Sequence, residues 1–383
     1  MLRPFLQPDR TKTEMLWLYA INDRRVLGWL TILLIPAMTV ACLWPFMAPA
    51  NTVAWVPGAH AVAFGKYGML AGSRPLRPNA LAGTGCTLDL WVRPDEAEGK
   101  GAILATLSPG NPRFLRVEQY EEGLAVRTLA PSDPTRIGGA QLYADDVFAP
   151  GKPVLLTIVS DDSETKGFVN GVVRRAVPNF RICRALLTGS LVVGTAADSH
   201  AGWRGRLSGM AVFDRLLSPE EIQRDFQAWP KHPGPALGSR AGLIALYLFG
   251  EGRGDRVHDE VSGSNSLVIP ERYLVLAKRF LSSPSLDNQL DIVANVIGFM
   301  PLGFTLCGYL LSCGWRERTG VVATVVLCGV FSLAIEMLQW YLPTRDSDMT
   351  DVITNTLGAI LGALAYRWIR VRLAVPARKG ISL

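Results

Sequence analysis

At 383 residues the chain is long enough for two ordinary domains, and its 49% hydrophobic content, with a mean hydropathy of +0.21, excludes a purely soluble protein. The apolar excess is gathered into four blocks, separated by more than two hundred residues of ordinary mixed composition, so a purely membrane-embedded protein is excluded too. The net charge of +6 does not indicate nucleic acid, because the basic residues track the ends of the apolar blocks instead of one surface.

The first block, Val26–Met47, is long enough to cross the hydrocarbon layer as a helix, which takes roughly 17–25 residues. Ala48-Pro49-Ala50 has the small residues of a signal-peptide cleavage site. The apolar run, however, exceeds the usual ~7–15 residues of such a signal and starts after 25 others, so we read an uncleaved anchor. Arg3, Arg10, Lys12, Arg24 and Arg25 precede it. Under the positive-inside rule residues 1–25 form a cytoplasmic segment and the chain emerges outside after residue 47.

Residues 50–275 read as one extracytoplasmic domain. Thr87–Val92, Ala102–Leu107, Phe114–Val117, Leu124–Leu129, Val154–Val159, Gly167–Val169 and Leu191–Val193 are short strand-like runs divided by Gly, Pro, Asn and Asp clusters, the pattern of a sandwich or barrel. Ser218-Pro219-Glu220-Glu221 predicts a helix start with a capping box and proline at the first helical position. Of the six cysteines, Cys42, Cys307, Cys313 and Cys328 fall in or beside apolar blocks and read as packing residues. Cys86 and Cys183 are the pair in the outside domain. An oxidising compartment permits a disulfide between them, but spacing alone does not supply the Cα separation it needs.

Cys86-Thr87-Leu88-Asp89-Leu90-Trp91-Val92-Arg93-Pro94, the Phe168-Val169-Asn170-Gly171 hairpin and the run Trp203–Asp214 followed by Leu217–Ile222 together resemble laminin-G-like, concanavalin A-like lectin modules. The resemblance implies a jelly-roll sandwich of two antiparallel sheets. Trp91, Trp203 and Phe168 are expected in the core, in preference to stacking on sugar. Some modules of this type bind calcium. Here Asp161, Asp162 and Asp198 form no dense oxygen-ligand pattern, so neither metal nor cofactor is expected. After a Pro/Gly-rich stretch at Trp229–Gly238, Leu243–Phe249 and the following Gly250–Gly263 resemble the opening segment of the same family. They read either as a permuted edge strand or as the stump of a second repeat. Ile269–Leu281 reads as an interfacial segment.

Three further apolar blocks, Ile292–Ser312, Val321–Tyr341 and Val352–Ile369, place the remaining membrane helices within residues 287–372, giving an α-helical transmembrane bundle of four helices in all. Arg316 and Arg318 mark an inside turn. Arg367, Arg370, Arg372, Arg378 and Lys379 put the 373–383 tail inside as well. Polar residues recur at one depth: Asp291 with Asn295, Glu336 with Gln339, and Asp351 with Asn355. Residues three or four apart share a helix face, and the Leu342–Asp348 loop adds Arg345, Asp346 and Asp348. The pattern predicts an outer-leaflet ligand site at Asp291, Asn295, Glu336, Gln339, Arg345, Asp348, Asp351 and Asn355. A hydrogen-bonded staple, with Arg345 paired to Glu336 or an aspartate, is the alternative. Gly358 and Gly362 permit close helix approach, while Pro301, beside Gly303, predicts a kink.

Asp291-x-x-x-Asn295-x-x-x-Phe299-x-Pro301-x-Gly303, Ser332-Leu333-Ala334-Ile335-Glu336-x-x-Gln339 and Leu342-Pro343-x-Arg345-x-x-Asp348-x-x-Asp351-x-x-x-Asn355-x-x-Gly358 resemble the VanZ-like membrane family over residues 287–366, with 26–47 as first helix. The resemblance implies a small helical protein of the bacterial cytoplasmic membrane, a type in part linked to teicoplanin resistance and without an agreed mechanism. The lectin-like insertion departs from the simple family pattern. The chain contains no H-E-x-x-H or phosphate-loop pattern, and His60, His200, His232 and His258 are scattered outside the apolar blocks. The expectation is an envelope protein that binds a glycan or lipid-linked ligand, with membrane lipid as a partner and no nucleic acid. A membrane enzyme using the outer-leaflet carboxylates, and a transporter, are the competing readings.

Overall fold

The computed structural model describes residues 23–76, 85–96, 98–107, 114–129, 141–196, 199, 201–231, 240–276, 280–281, 289–342 and 345–374. It divides into two compact units, Met1–Met47 with Lys278–Leu383, and Ala48–Ala277.

The described chain opens on helix α1 (Arg24–Leu43), whose N-cap Asp23 accepts a hydrogen bond from the Arg25 amide at 2.7 Å. Only Leu27 and Thr31 are buried along it, while Trp29, Ile32 and Leu33 are exposed. An apolar helix that leaves most of its side chains uncovered suits a hydrocarbon solvent, not water.

The second unit is a β-sandwich. Its strands are β1 (Val53–Trp55), β2 (Val62–Phe64), β3 (Leu70–Pro75), β4 (Cys86–Pro94), β5 (Lys100–Leu107), β6 (Phe114–Tyr120), β7 (Gly123–Leu129), β8 (Leu142–Ala144), β9 (Val154–Ser160), β10 (Glu164–Val169) and β11 (Val172–Pro178). The short helix α2 (Cys183–Thr188), β12 (Ser190–Val193), β13 (Gly205–Phe213), α3 (Pro219–Ala228), β14 (Leu243–Tyr247), β15 (Arg256–Val257) and β16 (Leu267–Val268) complete it. One sheet runs β1-β2-β13-β4-β9-β10-β11, with β14 paired to β13; the other runs β15-β16-β3-β12-β5-β6-β7-β8. Every pairing is antiparallel.

Leu88, Leu90 and Val92 of β4 join Leu104, Val117, Val126 and Ile158 in the core shared by the two sheets. The opposite face of β4 is covered as well. Trp91 packs with Phe213, Leu217, Ile222 and Trp229 under α3, whose capping box is formed by Ser218 and Glu221. Gly209 allows this contact, because a Cβ there would lie 1.9 Å from the Trp229 ring. Trp203 and Phe168 are also buried, and the Trp203 indole donates to Gln119 Oε1 at 2.7 Å. Cys86 and Cys183 are joined in a disulfide with Cα atoms 5.4 Å apart, tying the start of β4 to α2.

The structure decides between the two readings of the segment after Trp229. Met210–Phe213 of β13 pair with β14, while Gly205–Leu207 of the same strand pair with β2. Leu243–Tyr247 is therefore a late strand of the same sandwich and not a second repeat. The β15–β16 hairpin extends the other sheet through Leu267 opposite Gly72. The segment Ile269–Leu281, read as interfacial, divides into two sets: Leu274, Leu276 and Phe280 are exposed, while Tyr273 and Val275 turn inward. Tyr273 and Val275 are buried against Met69, Ala102 and Val192, and Tyr273 shares a 2.6 Å hydrogen bond with Thr195, so these apolar side chains cover a sheet. Ala50 and Arg272, close to the two ends of the sandwich, form an antiparallel bridge.

The helical unit continues with α4 (Gln289–Ser312), α5 (Glu317–Tyr341) and α6 (Met349–Ala374). With α1 these make four helices long and apolar enough to cross a membrane. Three glycines bring α4 and α6 into backbone contact. A Cβ at Gly303 would meet the Ala359 carbonyl at 2.2 Å, one at Gly358 the Val296 carbonyl at 2.2 Å, and one at Gly362 the Met300 carbonyl at 2.1 Å. Pro301 lies inside α4, where the Thr305 hydroxyl donates to its carbonyl at 2.9 Å.

Candidate functional site

The polar residues singled out along the three late helices meet at one end of the helical unit. Asn295, in the second turn of α4, donates from Nδ2 to Asp351 Oδ1 in the first turn of α6 at 2.8 Å. Asn355, one turn further along α6, donates to Ser332 Oγ of α5 at 2.9 Å. Gln339, near the end of α5, donates to the Cys42 carbonyl at the end of α1 at 2.9 Å. Glu336 is only 1% exposed and accepts the Asp348 amide at 2.9 Å. Asp348 in turn caps α6, accepting the Thr350 amide at 2.7 Å. Asp291 stands exposed in the first turn of α4.

Arg345 departs from the staple expectation. Its guanidinium donates to the Trp44 carbonyl at 2.5 Å and ion-pairs with none of the carboxylates among the described residues. Glu336, Asp348 and Asp351 likewise make no ion pair there, although their charges lie near enough to repel one another. Asn355 is 4% exposed, and its Oδ1 is buried with no hydrogen-bond donor among the described residues. Hydrogen bonds therefore join all four helices, yet the cluster keeps unneutralised acceptor capacity. The backbone partners Cys42 and Trp44 carried no signal in the sequence, whereas Ser332 stands in the motif of the family resemblance and Asp348 among the predicted site residues.

In the sandwich, Asp161 belongs to its own turn. The Ser163 hydroxyl and the Ser163 and Glu164 amides donate to it, and these bonds hold its carboxyl below the usual range. Asp162 is exposed beside it, and Asp198 lies outside the described residues, as do His200 and His232. Sequence reasoning missed a polar cleft of about 580 Å³ where the β6–β7 turn meets the chain after β8. Lys100, Glu121, Glu122, Tyr143 and Asp145 line it, with Lys100 and Glu121 ion-paired at 3.2 Å.

Residues 243–370 match the VanZ/LLP1 family, and residues 71–223 match the concanavalin A-like lectin/glucanases superfamily. Protein VanZ of Enterococcus faecium is 35% identical over 79 residues, which is 21% of this chain and 45% of that protein, so the chain spans about half the length of this curated relative. Among solved structures, a candidate carbohydrate binding protein from Bacteroides ovatus aligns over 58% of each chain at 11% identity and a TM-score of 0.39. A SAP-like pentraxin from Limulus polyphemus aligns over 47% of this chain and 80% of its own at 14% identity and a TM-score of 0.32. The VanZ/LLP1 match begins at β14, so its first residues belong to the sandwich and its remainder to the helices.

Proposed function

For a membrane protein that joins a VanZ-like helical domain to a concanavalin A-like sandwich, we propose a role as a cell-envelope binding protein. The helical end cluster holds the cationic or donor-rich headgroup of an amphipathic or lipid-linked envelope ligand. The sandwich, on the extracytoplasmic side, binds glycan. One observation carries the first half: Glu336, Asp348 and Asp351 form no ion pair among the described residues, while the nearby Arg345 donates to the Trp44 carbonyl. Charge withdrawn from water is met by a proton, by hydration or by a ligand cation. The buried acceptor of Asn355 adds an unused hydrogen-bonding position. For the glycan half, the polar cleft beside Tyr143 offers carboxylates and an aromatic ring in one place.

The test is ligand capture from a lipid-and-glycan extract by purified full-length protein. Glu336→Gln and Asp351→Asn keep shape and most hydrogen-bonding capacity while removing charge. Each is expected to lower capture about 10- to 100-fold, the loss of one charge-assisted hydrogen bond, with the melting temperature in detergent unchanged. A parallel fall in melting temperature would assign the cluster to helix stapling. Unchanged capture by both variants would remove it from the binding site.

A further inference from the structure

The opposite end of the helical unit carries a second set of groups that the headgroup cluster does not use. A groove of about 450 Å³ lies against α1 and α4, lined by Arg24, Arg25, Trp29, Ile32, Leu306 and Tyr309. Gly28 sits on the α1 side of it. A Cβ there would stand 3.1 Å from the Tyr309 ring, so glycine lets the phenol lie close along α1. Both arginines are exposed, and neither forms an ion pair among the described residues. Two other cations of this end are engaged: Arg367 is paired with Glu317, and Arg372 lies over the Trp368 ring at 4.3 Å. Trp29 and Ile32 are 65% and 57% exposed.

From these features we infer that the α1–α4 groove is a binding site for an anionic phospholipid. The arginine pair holds the phosphate, Trp29 and Tyr309 sit at headgroup level, and an acyl chain runs over Ile32 and Leu306. Guanidinium groups match phosphate oxygens in fork geometry, and basic pockets between membrane helices select anionic headgroups. Tryptophan and tyrosine favour the membrane interface, where one edge of the ring is apolar and the other wet. The apolar floor separates this ligand from free phosphate, which would use the arginines alone. The proposal is independent of the carboxylate cluster, which lies at the far ends of the same helices.

The experiment uses full-length protein in a neutral detergent, with lipid retention read by native mass spectrometry. Phosphatidylglycerol is expected to be retained at least tenfold over phosphatidylcholine. A large excess of free glycerophosphate is expected not to displace it. A headgroup-photoactivatable phosphatidylglycerol is expected to cross-link peptides containing residues 24–32 or 306–313 of the unmodified chain. Arg24→Gln/Arg25→Gln should reduce retention to the phosphatidylcholine level, and Arg370→Gln/Arg372→Gln, a charge-matched change at the same end, should not. Equal retention of the two lipids, displacement by glycerophosphate, or cross-links spread evenly over α5 and α6 would each overturn the site. The cross-link map decides the matter if the double variant fails to insert.

Discussion

Asp89 shows how a strand's period can place a side chain without revealing what covers it. Alternation along Cys86–Pro94 puts Leu88, Leu90 and Val92 on the inner face and Asp89 on the outer one, where an aspartate would ordinarily be solvated. The helix α3 and the Trp229 region cover that outer face, so Asp89 is 1% exposed, with the Thr157 hydroxyl donating to it at 2.5 Å. Burial first, and the nearby Asp225 charge second, push its carboxyl up to about 7. A carboxyl raised above its unfolded value contributes stability that is complete below the unfolded pKa near 4 and is lost as pH rises through the folded one. Protection of the β4 amides, corrected for intrinsic exchange, is expected to weaken between pH 4 and 7 by up to about 1.4 kcal/mol per pH unit. Asp89→Asn should flatten that dependence; an unaltered slope in the variant would place its origin elsewhere. Arg345 makes the same point for the site. Its position was readable from spacing, but its partner is a backbone carbonyl, and every residue has one of those.

At the scale of elements, the four membrane helices were legible because about twenty consecutive apolar residues have few other uses. Strands with strong apolar content, such as Val154–Ser160, were legible too. The three-residue strands β1, β2 and β8 were not, being shorter than any alternation can be counted over. Nor was β11, whose residues are nearly all exposed at the edge of its sheet. The place of β14 depends on pairing with β13 across more than thirty residues, which no local pattern encodes. Two helix glycines differ sharply in what surrounds them. Gly358 faces the Val296 carbonyl at 2.2 Å, whereas a Cβ at Gly298 would meet nothing within 4 Å. Gly358→Ala should force α4 and α6 apart, strain the Asn295–Asp351 bond and cost about 1–3 kcal/mol. Gly298→Ala should be neutral or gain up to ~1 kcal/mol from helix propensity. Thermal unfolding of the two variants in detergent checks the contrast; equal melting temperatures would refute the close-contact account of Gly358.

For the whole molecule, the proposed orientation rests on arginine and lysine flanking alternate helix ends. A cysteine introduced at Ser163, on the exposed β9–β10 turn, is expected to react in intact cells with a membrane-impermeant thiol reagent, in a background without native cysteines. One at Ser382 should react only after permeabilisation. The reverse pattern would invert the proposed topology and move both proposed ligand sites to the other leaflet.

Close to the two ends of the sandwich, Ala50 and Arg272 lie side by side in an antiparallel bridge, and the Asn51 side chain donates to the Pro270 carbonyl at 2.9 Å. Antiparallel partners stand only about 5 Å apart at Cα, close to the span of a single peptide unit. The module is thus inserted as a closed loop, like a bead threaded on a string, and its presence imposes almost no distance between the residues it separates in sequence. A gene encoding the helices could acquire or discard such a bead without redesigning the helix packing. A chain in which Met47 is followed directly by Lys278 is accordingly expected to insert in the membrane and retain the Asn295–Asp351 and Gln339–Cys42 bonds, with the melting temperature of the helical unit close to its value in the intact protein. A shortened chain that fails to accumulate in membranes would show instead that the helices need the sandwich to fold.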